Sequence, residues 1–399
     1  MFNGWIRAIR KSKNRMFLEV SNGIKEYQVV TSAISGLSIG TSVQCTGTIV
    51  NHNNKSEFHA NDIKVIGKCD PRTYPLQSKR HTLEFLRSYP QLNSRRKFQS
   101  TILLYRDFLQ FEIHKYFRTK EFVHINTPIL TSNDCEGGGS TLKVKSELFK
   151  DICHLTVSAQ LHLEAVNSGI ENVYTLNPCF RAEKTLSSKH LAEFYMLEAE
   201  LGFITNLNQL MDFVEDLFNH LITISGPFLL PRLANIKSEL EFQVKEEQFK
   251  IQKIPRISYD KAYEILSKSP IKFEIPLEYG DLAAEHEKYL VEYHNSPVFV
   301  THYPSSSKPF YMLRNSNNMA ECFDFLVPNV GELVGGSLRS TDIMDLPNNL
   351  NWYNDIRTFG SIPHGGFGFG FERFIMYMLQ LQSIRDTIPF PRYYKHIKC

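Results

Sequence analysis

Residues 180–200, FRAEKTLSSKHLAEFYMLEAE, place an arginine, several carboxylates and an aromatic ring close together in the chain. Both ends of this segment have the alternation of a strand, and its serine-containing centre is typical of a polar loop. Because side chains alternate along a strand, Arg181 and Glu183 are expected to share one face of the first strand. Four residues share one face of the second strand, opposite an apolar face: Phe194, Met196, Glu198 and Glu200. The pattern predicts a hairpin whose charged and aromatic side chains lie on one face of a sheet, with the other face packed on the core. A hairpin with a solvated acidic face has the same pattern.

A second group of charged residues lies in the segment 324–339, DFLVPNVGELVGGSLR. Asp324 and Glu332 offer oxygen ligands of the kind that Mg²⁺ accepts beside phosphates. Arg339 is a planar donor suited to a carboxylate, an amide oxygen or a phosphate. Strict alternation would put Glu332 and Arg339 on opposite faces, so we expect a β-bulge, which the pair Gly335 and Gly336 can supply. Each of these charges taken alone is more often structural than functional.

A third segment, residues 364–373 (HGGFGFGFER), combines closely spaced glycines with an arginine. Glycines let the backbone approach a ligand closely, and Arg373 lies at the start of the following helix. A tight strand packed against aromatic rings would need the same glycines. Arg373 occupies the place of the third glycine of GxGxxG, and the sequence contains no GxxxxGK[ST], HExxH or GxSxG.

The composition limits the classes of protein to which the chain can belong. Its 399 residues carry 45 Lys and Arg against 42 Asp and Glu, and the net charge of +3 does not by itself predict a nucleic-acid-binding protein. A local basic patch lies near the N-terminus, at Arg7, Arg10, Lys11, Lys13 and Arg15. No apolar run reaches the roughly 18 residues of a membrane span. The seven scattered cysteines disfavour a disulfide framework or a close zinc-ligand pair and suit a reducing compartment.

The chain divides into a strand-rich N-terminal part and a longer mixed part. Five short strands in residues 1–68 predict a small closed β-barrel such as the OB-fold, a platform for single-stranded nucleic acid. Residues 69–93 contain three prolines and are expected to be a linker or hinge. Residues 94–399 combine strands and helices without a regular βαβ order, which predicts an α+β domain on an antiparallel sheet flanked by helices.

The elements of the longer part follow from its apolar periodicity. A long helix is predicted from Ser94, because apolar residues recur every three to four positions at Phe98, Ile102, Tyr105, Leu109, Ile113 and Tyr116. Further helices are predicted at 206–224, 258–268, 280–293 and about 371–382. Strands are predicted at 173–183, 194–203, 297–303, 308–314 and 321–328. Residues 225–256 match no element pattern.

Taken together, these segments resemble the three motifs of class II aminoacyl-tRNA synthetases: the long helix followed by a strand with Pro128, the hairpin with Arg181, and the glycine strand with Arg373. The chain is most similar to the aspartate, asparagine and lysine subgroup, which has an N-terminal OB-fold that binds the anticodon. Five segments resemble asparaginyl-tRNA synthetases: NDCEGGGS (133–140), VSAQLHLE (157–164), RAEKTLSSKHLAEF (181–194), KPFYM (308–312) and PHGGFG (363–368). NDCEGGG and the tail IPFPRYY (388–394) look more like the organellar and bacterial branch than the eukaryotic cytosolic one.

The resemblance implies a set of binding roles for ATP, Mg²⁺ and the amino acid. Arg181 would hold the α-phosphate of ATP, and Glu183 would hold the adenine amino group. Phe194 and Arg373 would stack on the two faces of the adenine ring, and His190 would reach the β- and γ-phosphates. Two groups complete the site: Asp324 and Glu332 for Mg²⁺, and Glu136, Ser158 and Gln160 for the ammonium group of the amino acid.

The implied reaction needs no protein nucleophile. The carboxylate of the amino acid attacks the α-phosphate, pyrophosphate leaves, and the aminoacyl group passes from the adenylate to a terminal ribose hydroxyl of tRNA. The barrier comes from bringing two anions together and spreading charge over phosphate oxygens, for which arginine, Mg²⁺ and positioning suffice. The sequence has no evident Ser/His/Asp or Cys/His arrangement, which agrees with this chemistry.

Asparagine and aspartate are nearly isosteric, so the site must separate them by hydrogen bonds and charge. Aspartyl enzymes of the subgroup have a lysine three positions after the residue matching Gln160, and this chain has Leu163 there. Glu198 is expected to accept from the amide nitrogen of asparagine, and Arg339 to donate to its side-chain oxygen. Because an aspartate side chain would face the like charge of Glu198, the sequence favours asparagine.

The resemblance also implies nucleic-acid and subunit partners. In the barrel, Phe17 would stack on the central anticodon uridine and Gln28 would hydrogen-bond it. Without the resemblance, Phe17 would be interpreted as a barrel-core residue and Gln28 as a solvated one. The expected partners are tRNA(Asn) and a second copy of the chain, because the strand with Pro128 forms a two-fold interface in class II enzymes.

Three alternatives and two compartments remain open at this point. The alternatives are an aspartyl or non-discriminating synthetase, an ammonia-dependent asparagine synthetase on the same catalytic fold, and a non-catalytic RNA-binding paralogue. The barrel argues against the second alternative, because those enzymes lack an anticodon barrel. The intact motif residues Arg181, Glu332 and Arg373 argue against the third. The branch similarity favours the mitochondrial matrix, with the cytoplasm as the alternative, and the sequence starts at the barrel without an evident presequence.

Overall fold

A computed structural model describes most of the chain. The described residues are 1–32, 34–52, 55–79, 81–132, 141–150, 152–234, 236, 246–251, 253–344, 346 and 350–399. The segment NDCEGGGS, which includes the expected ammonium ligand Glu136, lies outside them. None of the helices in the described ranges is long and apolar enough to span a bilayer.

The N-terminal strands form the closed five-stranded barrel that the sequence predicts. Its strands are β1 (Phe2–Lys11), β2 (Met16–Ser21), β3 (Glu26–Thr31), β4 (Ser42–His52) and β5 (Lys55–Gly67), in the order β1-β2-β3-β5-β4. Alternation puts Leu18, Val20 and Val29 inside, where they are fully buried. The pairing of β4 with β5 shifts register at Gly47, where a Cβ would lie 2.0 Å from the His59 carbonyl oxygen. A glycine there lets the two strands bend closely enough to close the barrel.

The helices surround a large sheet in the rest of the chain. They are α1 (Leu83–Arg87), α2 (Pro90–Asn93), α3 (Lys97–Thr119), α4 (Gln160–Asn167), α5 (Leu207–Ala234), α6 (Tyr259–Ser267), α7 (Ala284–His294), α8 (Asn351–Thr358) and α9 (Phe371–Leu379). The long helix α3 begins at Lys97 rather than at Ser94, because Ser94 ends α2. All six residues of its predicted apolar stripe are buried. The stripe faces α5 and the sheet, as its spacing predicts.

Helix α5 is longer than predicted and enters the segment that matched no pattern. It passes 224 and continues through Pro227 and Pro231 to Ala234. The aromatic ring of Phe228 stacks on that of Phe108, with ring centroids 4.4 Å apart. Proline removes a helical hydrogen bond, and apolar packing along the same face stabilises the helix against this loss. A short 3₁₀ helix, Glu246–Phe249, follows on the same side of the fold.

The central sheet has eight strands and confirms the α+β class. Its strands are β6 (Val123–His124), β10 (Asn172–Phe180), β11 (Glu193–Gly202), β12 (Arg256–Ser258), β13 (Val298–Thr301), β14 (Cys322–Val327), β15 (Gly331–Leu338) and β16 (His364–Gly370). Their order is β12-β13-β14-β15-β16-β11-β10-β6, antiparallel in the centre and parallel at the two outermost pairs. A small second sheet pairs β7 (Leu130–Thr131), β8 (Lys143–Val144) and β9 (Cys153–Leu155) in the order β7-β9-β8.

Two predicted strands differ in the structure. The predicted strand 308–314 is wrong, since its residues form only isolated bridges, Met312 with Arg339 and Arg314 with Ala320. Pro309 interrupts this segment, and a proline cannot donate to a ladder. Pro128 lies between β6 and β7 and not within a strand, for the same reason. The division into a barrel, a linker at 69–93 and a catalytic domain from 94 stays a prediction.

Candidate active site

The face of β16 that carries alternate glycines is the floor of the candidate site. Gly366, Gly368 and Gly370 lie directly opposite Glu200, Glu198 and Met196 of β11. On the other side of β16, Gly368 pairs with Gly335 of β15, and Gly335 pairs with Asp324 of β14. Because paired residues of a sheet share a face, the carboxylates and glycines form one surface. The phenylalanines between these glycines point to the opposite, core side, where Phe367 and Phe369 are buried.

A β-bulge turns Glu332 onto this face. The bulge falls at Leu333, because Glu332 pairs with Leu326 and Val334 pairs with the adjacent Phe325. The prediction that Gly335 and Gly336 supply the bulge is therefore wrong, since both pair regularly. Gly335 has a different role, because a Cβ there would lie 2.9 Å from Glu332 Oε1 and 3.7 Å from Asp324 Oδ1. The bulge and the glycine together bring the two carboxylates to one place.

The loop after β10 carries the other predicted residues. Strand β10 ends at Phe180, so Arg181 and Glu183 lie beyond the strand and not on its face. The next pair of the hairpin would be Arg181 with Ala192. The pairing stops there because the Ala192 N–H donates instead to the carbonyl of Arg392 in the C-terminal tail, at 2.7 Å. The backbone ladder between the two arms ends with the hydrogen bond from the Arg181 N–H to the Ala192 carbonyl, 3.0 Å.

One cavity collects the residues that the resemblance assigns to ATP. Its lining includes Arg181, Glu183, His190, Phe194, Glu332 and Arg373. The guanidinium of Arg181 lies 5.4 Å from the centre of the Phe194 ring, a cation–π contact. Arg373 Nη1 donates to the Glu332 carbonyl at 2.6 Å, which fixes the second cation across the cavity. The cavity thus has an aromatic face, two guanidinium groups and a carboxylate that can accept from an amino group.

Two further basic side chains that line this cavity have altered pKa values. Burial lowers the pKa of His190, although the carboxylate of Glu183, 3.3 Å from His190 Nε2, acts in the opposite direction. Burial also lowers the pKa of Lys189, which lines the same cavity and carried no predicted role. An anionic ligand such as a phosphate would favour the charged form of both groups.

The buried salt bridge under Arg373 holds this end of the site in position. Arg106 of α3 donates to Glu372 Oε1 at 2.7 Å, and Glu372 Oε2 accepts from the Tyr195 N–H of β11 at 2.8 Å. Glu372 is almost fully buried. The contacts join α3, α9 and β11 immediately beside Arg373 and Phe194, so rigid elements hold these two side chains.

The residues expected to hold Mg²⁺ lie beside a third carboxylate. Burial, followed by the charges of Glu332 and Asp324, raises the pKa of Glu287 of α7 to about 7. Lys308 Nζ contacts Asp324 Oδ2 at 3.2 Å and compensates part of the negative charge. Such a donor set fits a hard divalent cation that takes further oxygens from phosphates and water. The described residues do not themselves form a ready group of three metal ligands. Glu287 lies outside every motif, and no sequence signal indicated it.

Farther along β11 from Phe194, Glu198 is hydrogen-bonded to the residues just before α4. It is 4% exposed, and accepts from the Ser158 hydroxyl and from the Ala159 N–H at 2.9 Å. Burial raises the pKa of the Glu198 carboxyl, and these hydrogen bonds oppose the shift. The structure thus brings Ser158 to Glu198. The amide of Gln160, another predicted residue, donates to Glu164 at 2.9 Å.

Arg339 is held by a residue to which the sequence assigned no role. Its Nη2 and Nε donate to the two oxygens of Glu200 at 2.6 and 3.2 Å, and Nη1 donates to the Ser337 hydroxyl at 2.7 Å. Arg339 is 5% exposed. A guanidinium has five N–H groups, so this pairing fixes its plane and still leaves N–H groups for a ligand. Glu200 was visible in the sequence on the same strand face as Glu198.

The barrel residues with a predicted role lie on its outer face. Phe17 of β2 pairs with Val30, and Gln28 of β3 pairs with Glu19, so Phe17 and Gln28 share one face on neighbouring strands. Phe17 is partly exposed, which excludes it from the barrel core. Gln28 Nε2 donates to Glu57 Oε1 at 2.8 Å.

We predict that Gly366→Ala destabilises the protein. A Cβ at this position would lie 2.2 Å from the Glu200 carboxyl carbon, so Glu200 would have to leave Arg339. Overpacking of this kind costs about 1–3 kcal/mol or more. The control is Gly169→Ala, where the nearest atom to a Cβ is 3.9 Å away. Thermal unfolding should show a clear fall in the midpoint for Gly366→Ala only, and equal midpoints for the two variants would contradict the close approach.

Comparison with known proteins agrees with this geometry. Residues 82–394 match the family model of class II tRNA synthetases (D, K and N). Asparaginyl-tRNA synthetase from Mus musculus is 42% identical, over 98% of this chain and 89% of the relative. The mitochondrial asparagine–tRNA ligase of Saccharomyces cerevisiae is 38% identical, over 98% and 91%. The crystal structure of asparaginyl-tRNA synthetase from Pyrococcus horikoshii complexed with asparaginyl-adenylate has a TM-score of 0.88 at 29% identity, over 99% of this chain and 95% of that one. The chain belongs to the asparaginyl-tRNA synthetases of class II.

Proposed function

We propose that this chain is an asparagine–tRNA ligase that activates asparagine with ATP and transfers it to the 3′ end of tRNA(Asn). The observation that carries the proposal is that Arg181 and Glu332 open into one cavity with Phe194 and Arg373. On the same face of β11, Phe194 of the cavity is followed by Glu198, so the nucleotide and amino-acid ends are adjacent. A single bound adenylate can span these two ends.

At the nucleotide end, Phe194 and Arg373 stack on the adenine ring, and Glu183 accepts from its amino group. Arg181 binds the α-phosphate, where its guanidinium stabilises the charge that develops as pyrophosphate leaves. His190 contacts the β- and γ-phosphates. Asp324 and Glu332 would hold Mg²⁺, which would further compensate the negative charge of the phosphates.

At the amino-acid end, the asparagine side chain lies between Glu198 and Arg339. Glu198 accepts from the amide nitrogen, and an N–H of Arg339 that Glu200 does not use donates to the amide oxygen. Ser158, Gln160 and Glu136 bind the ammonium group. This arrangement leaves the carboxylate of asparagine directed at the α-phosphate, and the reaction then proceeds by positioning.

Amino-acid-dependent exchange of pyrophosphate into ATP tests the proposal. Purified protein is assayed with each of the twenty amino acids in turn, at equal ATP and Mg²⁺. We expect asparagine to support exchange far above every other amino acid. Exchange that depends equally on aspartate would favour the second candidate, a non-discriminating synthetase, and the absence of exchange with asparagine would contradict the proposal.

The position of Leu163 disfavours the aspartyl alternative. The leucine side chain carries no charge, is fully buried and packs with Ala159 and Val173. No cation is therefore available at the position where aspartyl enzymes of the subgroup have their lysine. The closed barrel likewise disfavours the asparagine synthetase alternative, since that class has no anticodon barrel.

We propose that the barrel binds the anticodon of tRNA(Asn) through Phe17 and Gln28. The partly exposed Phe17 ring offers a stacking surface, and the Gln28 amide offers a donor and an acceptor for a base edge. Because the two residues lie on adjacent strands, one unstacked base can contact both. Phe17→Ala should therefore raise the KM for tRNA and leave pyrophosphate exchange unchanged, and an equal loss in both assays would contradict this role.

We also propose a homodimer. Large apolar side chains of α3 and of the segment around Pro128 are exposed: Phe111, Val123, Ile129 and Leu130. Exposed apolar side chains can mark an interaction site, and the resemblance to class II enzymes implies a two-fold interface in this part of the chain. Sedimentation should give twice the mass of one chain for the wild type and for the surface control Ile271→Asp, and a lower mass for Val123→Asp. A monomeric wild type would contradict the proposal.

The mitochondrial matrix is the compartment that we propose. The support is the 38% identity to a mitochondrial relative, together with a tail that looks more like the organellar and bacterial branch than the eukaryotic cytosolic one. Fluorescence of the full chain carrying a C-terminal tag should coincide with a matrix marker, and a diffuse cytoplasmic signal would contradict this localisation.

For the activation step we predict that Glu198→Gln weakens asparagine use. The substitution keeps the size of the side chain but replaces one acceptor with a donor, and it removes the like charge that repels aspartate. In pyrophosphate exchange we expect a lower kcat/KM for asparagine and a smaller preference for asparagine over aspartate. Unchanged turnover and selectivity would contradict the role of Glu198.

A further inference from the structure

A cluster of buried polar residues lies behind the amino-acid end of the site, around Glu164 of α4. The side chain of Glu164 is fully buried. Its Oε2 accepts from Tyr353 at 2.7 Å, from Arg357 at 2.7 Å and from His364 at 3.0 Å. Its Oε1 accepts from the Gln160 amide at 2.9 Å and lies 3.8 Å from Arg339 Nε. One carboxylate thus joins α4, α8, β16 and two residues of the amino-acid end.

The bond to Glu164 orients the amide of Gln160. An amide donates only through its nitrogen, and Gln160 uses Nε2 to reach Glu164. Its Oε1 is therefore the atom left to accept from a ligand, which is what an ammonium group requires. A loss of the Glu164 acceptor would let the amide turn and present a donor.

Glu164 also compensates part of the positive charge of Arg339. Glu200 compensates the guanidinium from one side by two hydrogen bonds, and Glu164 lies 3.8 Å away on another side. A guanidinium between two carboxylates gains little from a third anion and still donates well to a neutral oxygen. The local charge therefore favours an amide side chain over a carboxylate.

We propose that Glu164 is a positioning residue for selectivity, which makes Arg339 a donor to the neutral amide of asparagine and not a binding site for aspartate. The inference rests on the proposed asparagine ligase function. Glu164 contacts no reacting atom and acts through Arg339 and Gln160. Glu164 directly follows Leu163, the position at which aspartyl enzymes of the subgroup have a lysine. Helix α4 thus has a leucine and then a carboxylate in a place where a cation would favour aspartate.

The test compares Glu164→Gln with the matched control Tyr353→Phe. Both substitutions disturb hydrogen bonds of the same buried cluster, but only the first removes the charge. Pyrophosphate exchange is measured with asparagine and with aspartate, and the ratio of the two kcat/KM values is the readout. We expect the ratio to fall about tenfold or more in Glu164→Gln and to stay within about twofold of wild type in Tyr353→Phe.

A purely structural role would lower both activities together and leave the ratio unchanged, which would overturn the inference. A fall of equal size in both variants would also overturn it, since packing and not charge would then set selectivity. If Glu164→Gln does not fold, the double variant Glu164→Met and Arg357→Met removes both charges of the buried pair, a change that proteins often tolerate. Arg339 lies nearest Oε1 and Arg357 binds Oε2, so the ratio should fall in the double variant as well.

The same assay separates the inference from the proposed function. A wild type without asparagine-dependent exchange contradicts both. A wild type that prefers asparagine, with the same preference in the folded Glu164 variants, contradicts only the inference.

Discussion

The glycine face of β16 is the constraint on which the site depends. Glu198 and Glu200 point from β11 toward this face, and any Cβ at Gly366 would overlap the Glu200 carboxyl group. Burial raises the pKa of both carboxyl groups, and donors close by oppose this shift: Arg339 for Glu200, and Ser158 with the Ala159 N–H for Glu198. Charge buried without such partners would cost several kcal/mol, on the order of the whole stability of a domain.

Both ends of the proposed site combine basic and acidic side chains. Arg181, Arg373 and Lys189 line the cavity proposed for ATP beside Glu183 and Glu332. At the amino-acid end, Arg339 is paired with carboxylates. Two anions, a carboxylate and a triphosphate, must approach each other during activation. In the proposed function, a rigid set of cations beside the α-phosphate lowers this barrier, because the protein groups do not need to reorganise as charge develops. Arg106 and Glu372 contribute rigidity by joining α3, α9 and β11 behind Phe194 and Arg373.

Local sequence patterns predicted most of the helices and strands. The end of β10 and the position of the bulge in β15 were predicted wrongly, because contacts with distant parts of the chain determine them. The stripe of α3, the five barrel strands and the face of β11 follow from periodicity, which each segment carries in itself. The end of β10 at Phe180 depends on Arg392, a residue far along the chain that takes the next hydrogen bond. The bulge at Leu333 likewise depends on the register between β14 and β15. Glu287 lies in an ordinary helical pattern, and only its burial beside other carboxylates distinguishes it. Glu200 and Glu164 lie in segments that the sequence analysis singled out, but their partners Arg339 and Arg357 are distant in the chain.

Binding of a stable adenylate analogue tests most directly whether one rigid cavity holds both substrates. Titration calorimetry would compare asparaginyl-sulfamoyl-adenosine with asparagine alone, with adenosine monophosphate alone, and with the aspartyl analogue. We expect the asparaginyl analogue to bind far more tightly than either fragment, because one linked molecule occupies both ends without a second loss of translational freedom, and to bind more tightly than the aspartyl analogue. An affinity no better than that of the nucleotide fragment would contradict a shared cavity for the two substrates.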